Sequence, residues 1–90
     1  MTHRTGPTYD DIAQRLARIA GHAASLKRLW EEGRDGDEML TQIAAVRAAL
    51  DQAGRAILEH QIEHAVIEAV EHGDPERAIK DLKQALDRFI

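Results

Sequence analysis

Apolar residues recur every three or four positions along most of the chain, in three stretches that glycine separates. This spacing is typical of amphipathic helices, whose apolar side chains line one side at 3.6 residues per turn. Gly33 and Gly73 end the first two stretches, and Asp74 with Pro75 is a typical helix start. We therefore predict a flexible N-terminal arm, residues 1–7, and one helical domain, residues 8–90, with helices at about 9–32, 36–72 and 75–89.

The predicted helices differ in the width of their apolar surface. The second is apolar over more than one side, which indicates more than one partner helix. Thr8, Asp35 and Asp74 are predicted N-caps, and Glu38 is a capping-box partner for Asp35. The predicted buried stripes of the other two helices are Ile12, Leu16, Ile19, Ala23, Leu26 and Trp30 in the first, and Ile79, Leu82, Leu86 and Phe89 in the third.

The second predicted helix is long for a chain of 90 residues. At 1.5 Å per residue it would extend over about 55 Å, whereas a compact domain of this size has a radius of gyration of about 12 Å. Gly21 and Gly54 interrupt good helix-forming sequence, which predicts close helix crossings at both positions. Much of the helix is therefore expected to pack against another copy of the chain.

Composition agrees with a helical bundle, because 43% of the residues are hydrophobic and only 3% are aromatic. The absence of cysteine excludes thiolate chemistry. No apolar stretch is long enough to span a membrane, and we expect a cytoplasmic protein.

The net charge of −4 is unevenly distributed. Residues 1–34 contain six Lys or Arg against four acidic residues, whereas residues 35–90 contain six against twelve. In a symmetric oligomer this would produce separate basic and acidic surfaces, of which the basic ones could attract phosphate. The alternative is that these charges only solvate the helices.

Three segments resemble the CsoR/RcnR family of metal-sensing transcriptional repressors: RLARIAGH at 15–22, EGR at 32–34 and LTQIAAVRAAL at 40–50. The resemblance covers nearly the whole chain. It implies an all-α, three-helix protomer whose long central helices pair into an antiparallel four-helix-bundle dimer that assembles into a tetramer. It also implies operator DNA binding without a helix-turn-helix motif, and release of DNA when an effector binds at a dimer interface.

The chain departs from this family at the effector site. In the copper sensors, two cysteines and a histidine of the second helix hold Cu(I), and ungapped placement puts Gly36, Gln61 and Ala65 at those positions. None of these residues supplies the soft thiolate that Cu(I) prefers. We therefore expect an effector other than Cu(I), or none.

His60 and His64 are the candidate metal ligands, because a spacing of four residues puts both imidazoles on one side of a helix. Nickel and cobalt sensors of the family use such a pair with an N-terminal histidine, to which His3 would correspond. With Asp35 these residues could bind Ni(II), Co(II) or Zn(II). The alternative is that His60 and His64 are ordinary polar histidines that bind no metal. We interpret His22 and His72 as plain surface or packing residues.

The resemblance indicates Arg15 and Arg18 as DNA-binding residues, with Lys27, Arg28 and Arg34 as further phosphate contacts. Arg47 and Arg55 lie in the middle of the second helix and are interpreted as structural.

These features favour a DNA-binding repressor with operator DNA and further copies of itself as partners. A helical interaction module that has lost DNA binding is the alternative. An enzyme resembling chorismate mutase is a third hypothesis, but the chain lacks that family's pattern of charged residues. Ser25, the one serine, has no evident supporting base, so no enzymatic activity is expected.

Overall fold

The computed structural model describes residues 7–89, which form three α-helices and no strand. The helices are α1 (Pro7–Glu31), α2 (Gly36–His72) and α3 (Pro75–Phe89). The all-α fold with a long central helix is thus confirmed. The predicted N-terminal arm, residues 1–7, falls almost entirely outside the described residues. The chain divides into unit 1 (Met1–Ala53) and unit 2 (Gly54–Ile90), with the boundary inside α2.

Local hydrogen bonds explain where the helices begin and end. After α1, the Gly33 amide donates to the Trp30 carbonyl at 3.0 Å and the Arg34 amide to the Leu29 carbonyl at 3.1 Å, which is a Schellman motif. Gly33 has φ of 83° there, in the left-handed region. The predicted cap of α3 is confirmed, because Asp74 Oδ1 accepts from the Arg77 amide at 3.2 Å.

Asp35 also directly precedes α2 as predicted, and its carbonyl accepts from the Met39 amide at 3.0 Å, but the predicted cap Thr8 and the predicted capping box of Glu38 are wrong. Helix α1 begins at Pro7, so Thr8 lies inside its first turn, since proline is well suited to the first helical position. The Glu38 carboxylate does not close a capping box on Asp35. It accepts instead from Arg34 Nη1 at 3.0 Å.

We predict that Gly33→Ala destabilises unit 1 by about 1–2 kcal/mol, because a Cβ atom makes the left-handed conformation unfavourable. Urea denaturation followed by circular dichroism measures this change. Gly36→Ala is the matched control, because Gly36 has no positive φ and no atom within 4 Å of an added Cβ. Equal stability of the two variants would contradict the assigned C-terminal motif.

In unit 1, α1 packs along the first part of α2 through a seam that differs from the predicted stripe. Leu16, Ala23 and Trp30 are exposed, and Trp30 retains 64% of its accessible surface. Two series of α1 positions alternate in steps of three and four, and they share Ile12, Ile19 and Leu26. The prediction was wrong because the chain buries the series that was not chosen. The buried or half-buried residues of the α1 seam are Ile12, Arg15, Ile19, His22, Leu26 and Leu29.

The α2 side of this seam consists mainly of small or flexible residues. Ile19 forms a core cluster with Val46 and Ala53, and Leu26 and Ala49 pack against it. Ala53 is the most buried residue of the cluster, at 1% exposure. Small side chains at these positions allow close approach of the two helices.

In unit 2, the buried side of α3 is centred on Ala78. Leu82, Ala85 and Leu86 are half-buried, but Ile79 and Phe89 of the predicted stripe are exposed. The Phe89 ring nevertheless lies so close to Gly54 that a Cβ at this position would collide with it, so the close neighbour of Gly54 is a side chain and not the backbone crossing that was predicted. At Gly21 an added Cβ would meet nothing within 4 Å, so the predicted crossing is not found within the chain.

Many large apolar side chains remain exposed. Thirteen of those in the described part of the chain keep at least 39% of their accessible surface, whereas five hydrophobic residues are buried. On unit 1, the exposed residues include Leu16 and Trp30 of α1 and Leu40, Ile43 and Leu50 of α2, which we call the apolar flank. Within residues 7–89, no helix combines the length and the apolar character needed to cross a membrane.

Candidate nucleic-acid interface

A cleft of about 370 Å³ opens on unit 1 between α1 and α2. Three residues with hydrogen-bond donors, Arg15, Arg18 and His22, enter it from α1, and Gln52 enters it from α2. The remaining lining residues are Asp11, Ile19 and Ala49. We call this the Arg15–Arg18 cleft. It combines two guanidinium groups and neutral polar groups with one carboxylate, that of Asp11, so its positive groups outnumber the negative one, which is suitable for binding an oxyanion.

The cleft and the apolar flank lie on different sides of α1. Arg15 and Arg18, three residues apart, are separated by about 60° around the helix axis, whereas Arg18 and Leu16 are separated by about 160°. The side of α1 that presents Arg15 and Arg18 is thus distinct from the side that presents Leu16, on which Lys27 also lies.

Four of the five predicted DNA-binding residues already form an ion pair with a carboxylate four residues away in the sequence. The pairs are Arg15–Asp11 at 2.9 Å, Lys27–Glu31 at 3.5 Å, Arg28–Glu32 at 3.1 Å and Arg34–Glu38 at 3.0 Å. Exposed pairs of this kind contribute only about 0.3–0.5 kcal/mol each, so a phosphate can replace the carboxylate at little cost. Among the described side chains, Arg18 makes no such pair.

The five predicted DNA-binding residues do not lie on one side of unit 1 in the single chain. Arg15 and Arg18 meet in the cleft. Lys27 follows Arg18 by nine residues and therefore points about 180° away around α1. Arg28 lies about 80° from Arg18, in the last turn of α1, and Arg34 is in the connection between α1 and α2.

His22 has a defined polar contact, which its interpretation as a plain surface or packing residue did not foresee. Its Nε2 lies 2.6 Å from Oε1 of Gln42 on α2. An amide oxygen can only accept, so His22 Nε2 carries the proton. The signal in the sequence was the second alternating series in α1, which passes through Arg15 and His22. The Ser25 hydroxyl donates to the His22 carbonyl at 2.6 Å, so it is engaged with its own helix.

Arg47 and Arg55, interpreted from the sequence as structural residues in the middle of α2, are both exposed within the chain. A buried arginine would require carboxylate or carbonyl partners. The ion pairs formed by the described residues include neither side chain.

The candidate metal ligands do not form a site by themselves. His64 Nε2 lies 3.2 Å from Glu68 Oε1, and His60 is exposed. Between residues 7 and 89, no three His, Cys, Asp or Glu side chains are grouped closely enough to hold a metal ion. His3 lies outside the described residues, and Asp35 belongs to unit 1, whereas both histidines belong to unit 2. The donor set of a single chain, as described, therefore does not fit a metal.

Unit 2 has a cleft of its own, of about 310 Å³, between α2 and α3. Gln61 and Ala65, two of the positions aligned with the copper ligands, line it together with His64 and Glu68. Arg77 and Asp81 contribute the charged groups of α3. Gly36, at the third aligned position, is the first residue of α2 and belongs to unit 1.

Comparison with known proteins gives consistent matches over nearly the whole chain. Residues 8–88 match the model of a protein family described as metal-sensitive transcriptional repressors. The copper-sensing transcriptional repressor CsoR of Bacillus subtilis (strain 168) is 33% identical over 89 residues, which cover 99% of this chain and 88% of that protein.

Two solved structures have a similar fold. The nickel-responsive transcriptional regulator InrS is 37% identical, with a TM-score of 0.84 and full coverage of both chains. The Cu(I)-containing copper-sensing repressor CsoR of Geobacillus thermodenitrificans NG80-2 is 32% identical, with a TM-score of 0.85 and coverage of 99% of this chain and 93% of that one.

Proposed function

This chain belongs to the family of metal-sensitive transcriptional repressors, and we propose that it is a DNA-binding repressor that binds its operator through Arg15 and Arg18. The observation that carries this proposal is the convergence of both arginines in one cleft of unit 1. Phosphate contacts from arginine position a protein on DNA, and no helix-turn-helix motif is required for them. Arg28 and Arg34 are proposed as outer contacts, and Lys27 is not, because it points away from the cleft.

We further propose that the active form is a homodimer or homotetramer. The apolar flank supports this, because Leu40 is 66% exposed and Leu50 is 49% exposed in the single chain. Burying a large apolar side chain stabilises an assembly by about 1.5–3 kcal/mol. Symmetric association would also repeat the Arg15–Arg18 cleft, so that several clefts contact one DNA duplex.

A gel-shift titration with the DNA upstream of the protein's own operon tests the proposal. Binding that weakens steeply with salt supports a repressor, since each neutralised phosphate adds about 0.9 to the slope of log K against log salt. Absence of binding at low salt would favour a helical interaction module. Four paired cations and a net charge of −4 are the observations in favour of that second candidate.

The effector is proposed to be Ni(II), Co(II) or Zn(II) rather than Cu(I), or to be absent. Relatives of this chain sense copper or respond to nickel. In this chain a site at His60 and His64 requires donors from a second copy or from outside the described residues, such as His3.

We predict that the oligomer binds Ni(II), Co(II) or Zn(II) in preference to Cu(I), because imidazole and carboxylate suit these ions and thiolate is absent. Calorimetric titration of the metal alone measures this preference. The His60→Ala, His64→Ala double variant should lose the binding, and His72→Ala, at the end of the same helix, should retain it. Tighter binding of Cu(I) than of the divalent ions would refute the prediction.

A further inference from the structure

The Arg15–Arg18 cleft contains polar groups that the proposed function does not yet use. Gln52 is exposed on α2 and His22 is half-buried in the seam of α1. Both line the cleft with the arginines, over a floor formed by Ile19 and Ala49. Because Ile19 is buried, the cleft opens directly above the core of unit 1, where the chain is held in place by packing.

Arg15 is oriented differently from the other paired arginines. Its Nε donates to Asp11 Oδ2 at 2.9 Å, whereas Arg28 and Arg34 each use Nη1 to contact their glutamates. A guanidinium has five N–H groups, and an Nε contact leaves the four on Nη1 and Nη2 available. The N–H groups on Nη1 and Nη2 can donate hydrogen bonds to two oxygens of one phosphate at the same time. Asp11 therefore neutralises part of the charge of Arg15 while leaving its phosphate-binding edge available.

His22 is also fixed in orientation. Its Nε2–H donates to Gln42 Oε1, so the ring is held between α1 and α2 at one wall of the cleft. Gln52, by contrast, has no side-chain hydrogen bond among those formed by the described residues. Its amide group can donate two hydrogen bonds.

We infer that the cleft binds one specific phosphate of the DNA backbone, with Gln52 as a neutral donor beside Arg15 and Arg18. This inference rests on the proposed function and adds to it. The exposed cations outside the cleft contact the duplex through screened charge, whereas the cleft holds one phosphate by hydrogen bonds from two helices. Gln52 thereby sets the register of unit 1 on the duplex. His22 forms the wall that holds α1 and α2 at the separation the phosphate needs.

The test compares Gln52→Ala with the wild type, using operator duplexes that carry a single uncharged methylphosphonate at each backbone position in turn. Loss of a hydrogen bond to a charged group corresponds to about a tenfold loss of affinity. We expect Gln52→Ala to weaken binding of the unmodified duplex about tenfold without changing the salt slope, because glutamine carries no charge. One methylphosphonate position should weaken wild-type binding about tenfold more than it weakens binding of the variant, because the variant has already lost the Gln52 contact but keeps both arginines.

Matched variants separate this role from general effects. Gln84→Ala removes an exposed glutamine of α3 in unit 2 and should bind every duplex as the wild type does. Gln52→Glu adds a negative charge to the cleft and should weaken binding more than Gln52→Ala. Circular dichroism and sedimentation verify that the variants keep their helices and their assembly, which is expected since Gln52 is exposed.

The inference fails if Gln52→Ala binds as tightly as the wild type, or if the same methylphosphonate weakens both proteins equally. If Arg18→Ala still lowers affinity and salt slope in that case, the repressor function stands and Gln52 does not contact the phosphate. Absence of wild-type binding to any operator duplex at low salt would overturn both the proposed function and this inference.

Discussion

Replacing Leu50 with glutamate is expected to convert the protein from an oligomer to single chains and to abolish operator binding. Leu50 belongs to the apolar flank and is half-exposed in the chain, so the charge is tolerated by the folded protomer. In an assembly the same carboxylate would be buried without a partner, which costs several kcal/mol. Sedimentation velocity measures the loss of the oligomer, and gel shift measures the loss of binding.

Thr41→Glu is the matched control, because position 41 lies about 180° from position 50 around α2. It introduces the same charge on the same helix and should leave the sedimentation coefficient unchanged. Leu50→Ala is a milder variant, which should weaken association without adding charge. A wild-type protein that sediments as a folded single chain would disprove the proposed assembly, whatever the variants do.

The second large effect is expected for Arg18→Ala, which should weaken operator binding and lower its salt dependence while the oligomer persists. Arg18 points into the cleft and makes no ion pair with the described side chains, so its charge is available to phosphate. The salt slope should fall by about 0.9 for every subunit that loses its contact. Arg15→Ala should act in the same direction, but less strongly, because Asp11 already offsets part of its charge.

Lys27→Ala is the control for this pair. It removes the same charge from α1 but from the opposite side, so affinity and salt slope should change little. Fluorescence anisotropy titrations at several salt concentrations give both quantities, and sedimentation verifies the assembly. A slope that falls equally for Lys27→Ala and Arg18→Ala would show that only the total charge matters, and an unchanged slope for Arg18→Ala would refute its assignment.

The three helices and the family could be predicted from the sequence, because both depend on residues that are close together in the chain. Gly33, Gly73 and the Asp74–Pro75 pair act within one turn of the backbone, so their effect can be read without knowing what packs against the helix. The motif at 40–50 likewise identifies the family without reference to any contact. The absence of cysteine was enough to exclude a thiolate site for Cu(I).

What could not be predicted was which side of α1 packs against α2. Two series with the same alternating spacing share Ile12, Ile19 and Leu26, and hydrophobicity alone favours the series that contains Leu16 and Trp30. The folded chain uses the other series, in which Arg15 and His22 occupy seam positions.

The sequence by itself determined three helices, the glycine-terminated ends of the first two, the family and the lack of a thiolate ligand, because each follows from residues close together in the chain. Tertiary structure alone decided that Arg15, Arg18, His22 and Gln52 share one cleft. The reason is that Gln42, Ala49 and Ala53 of α2 accommodate a polar, closely packed seam, so Leu16 and Trp30 remain exposed on the chain. Contacts between residues about 30 positions apart depend on how two helices meet, and the pattern of either helix alone does not contain that information.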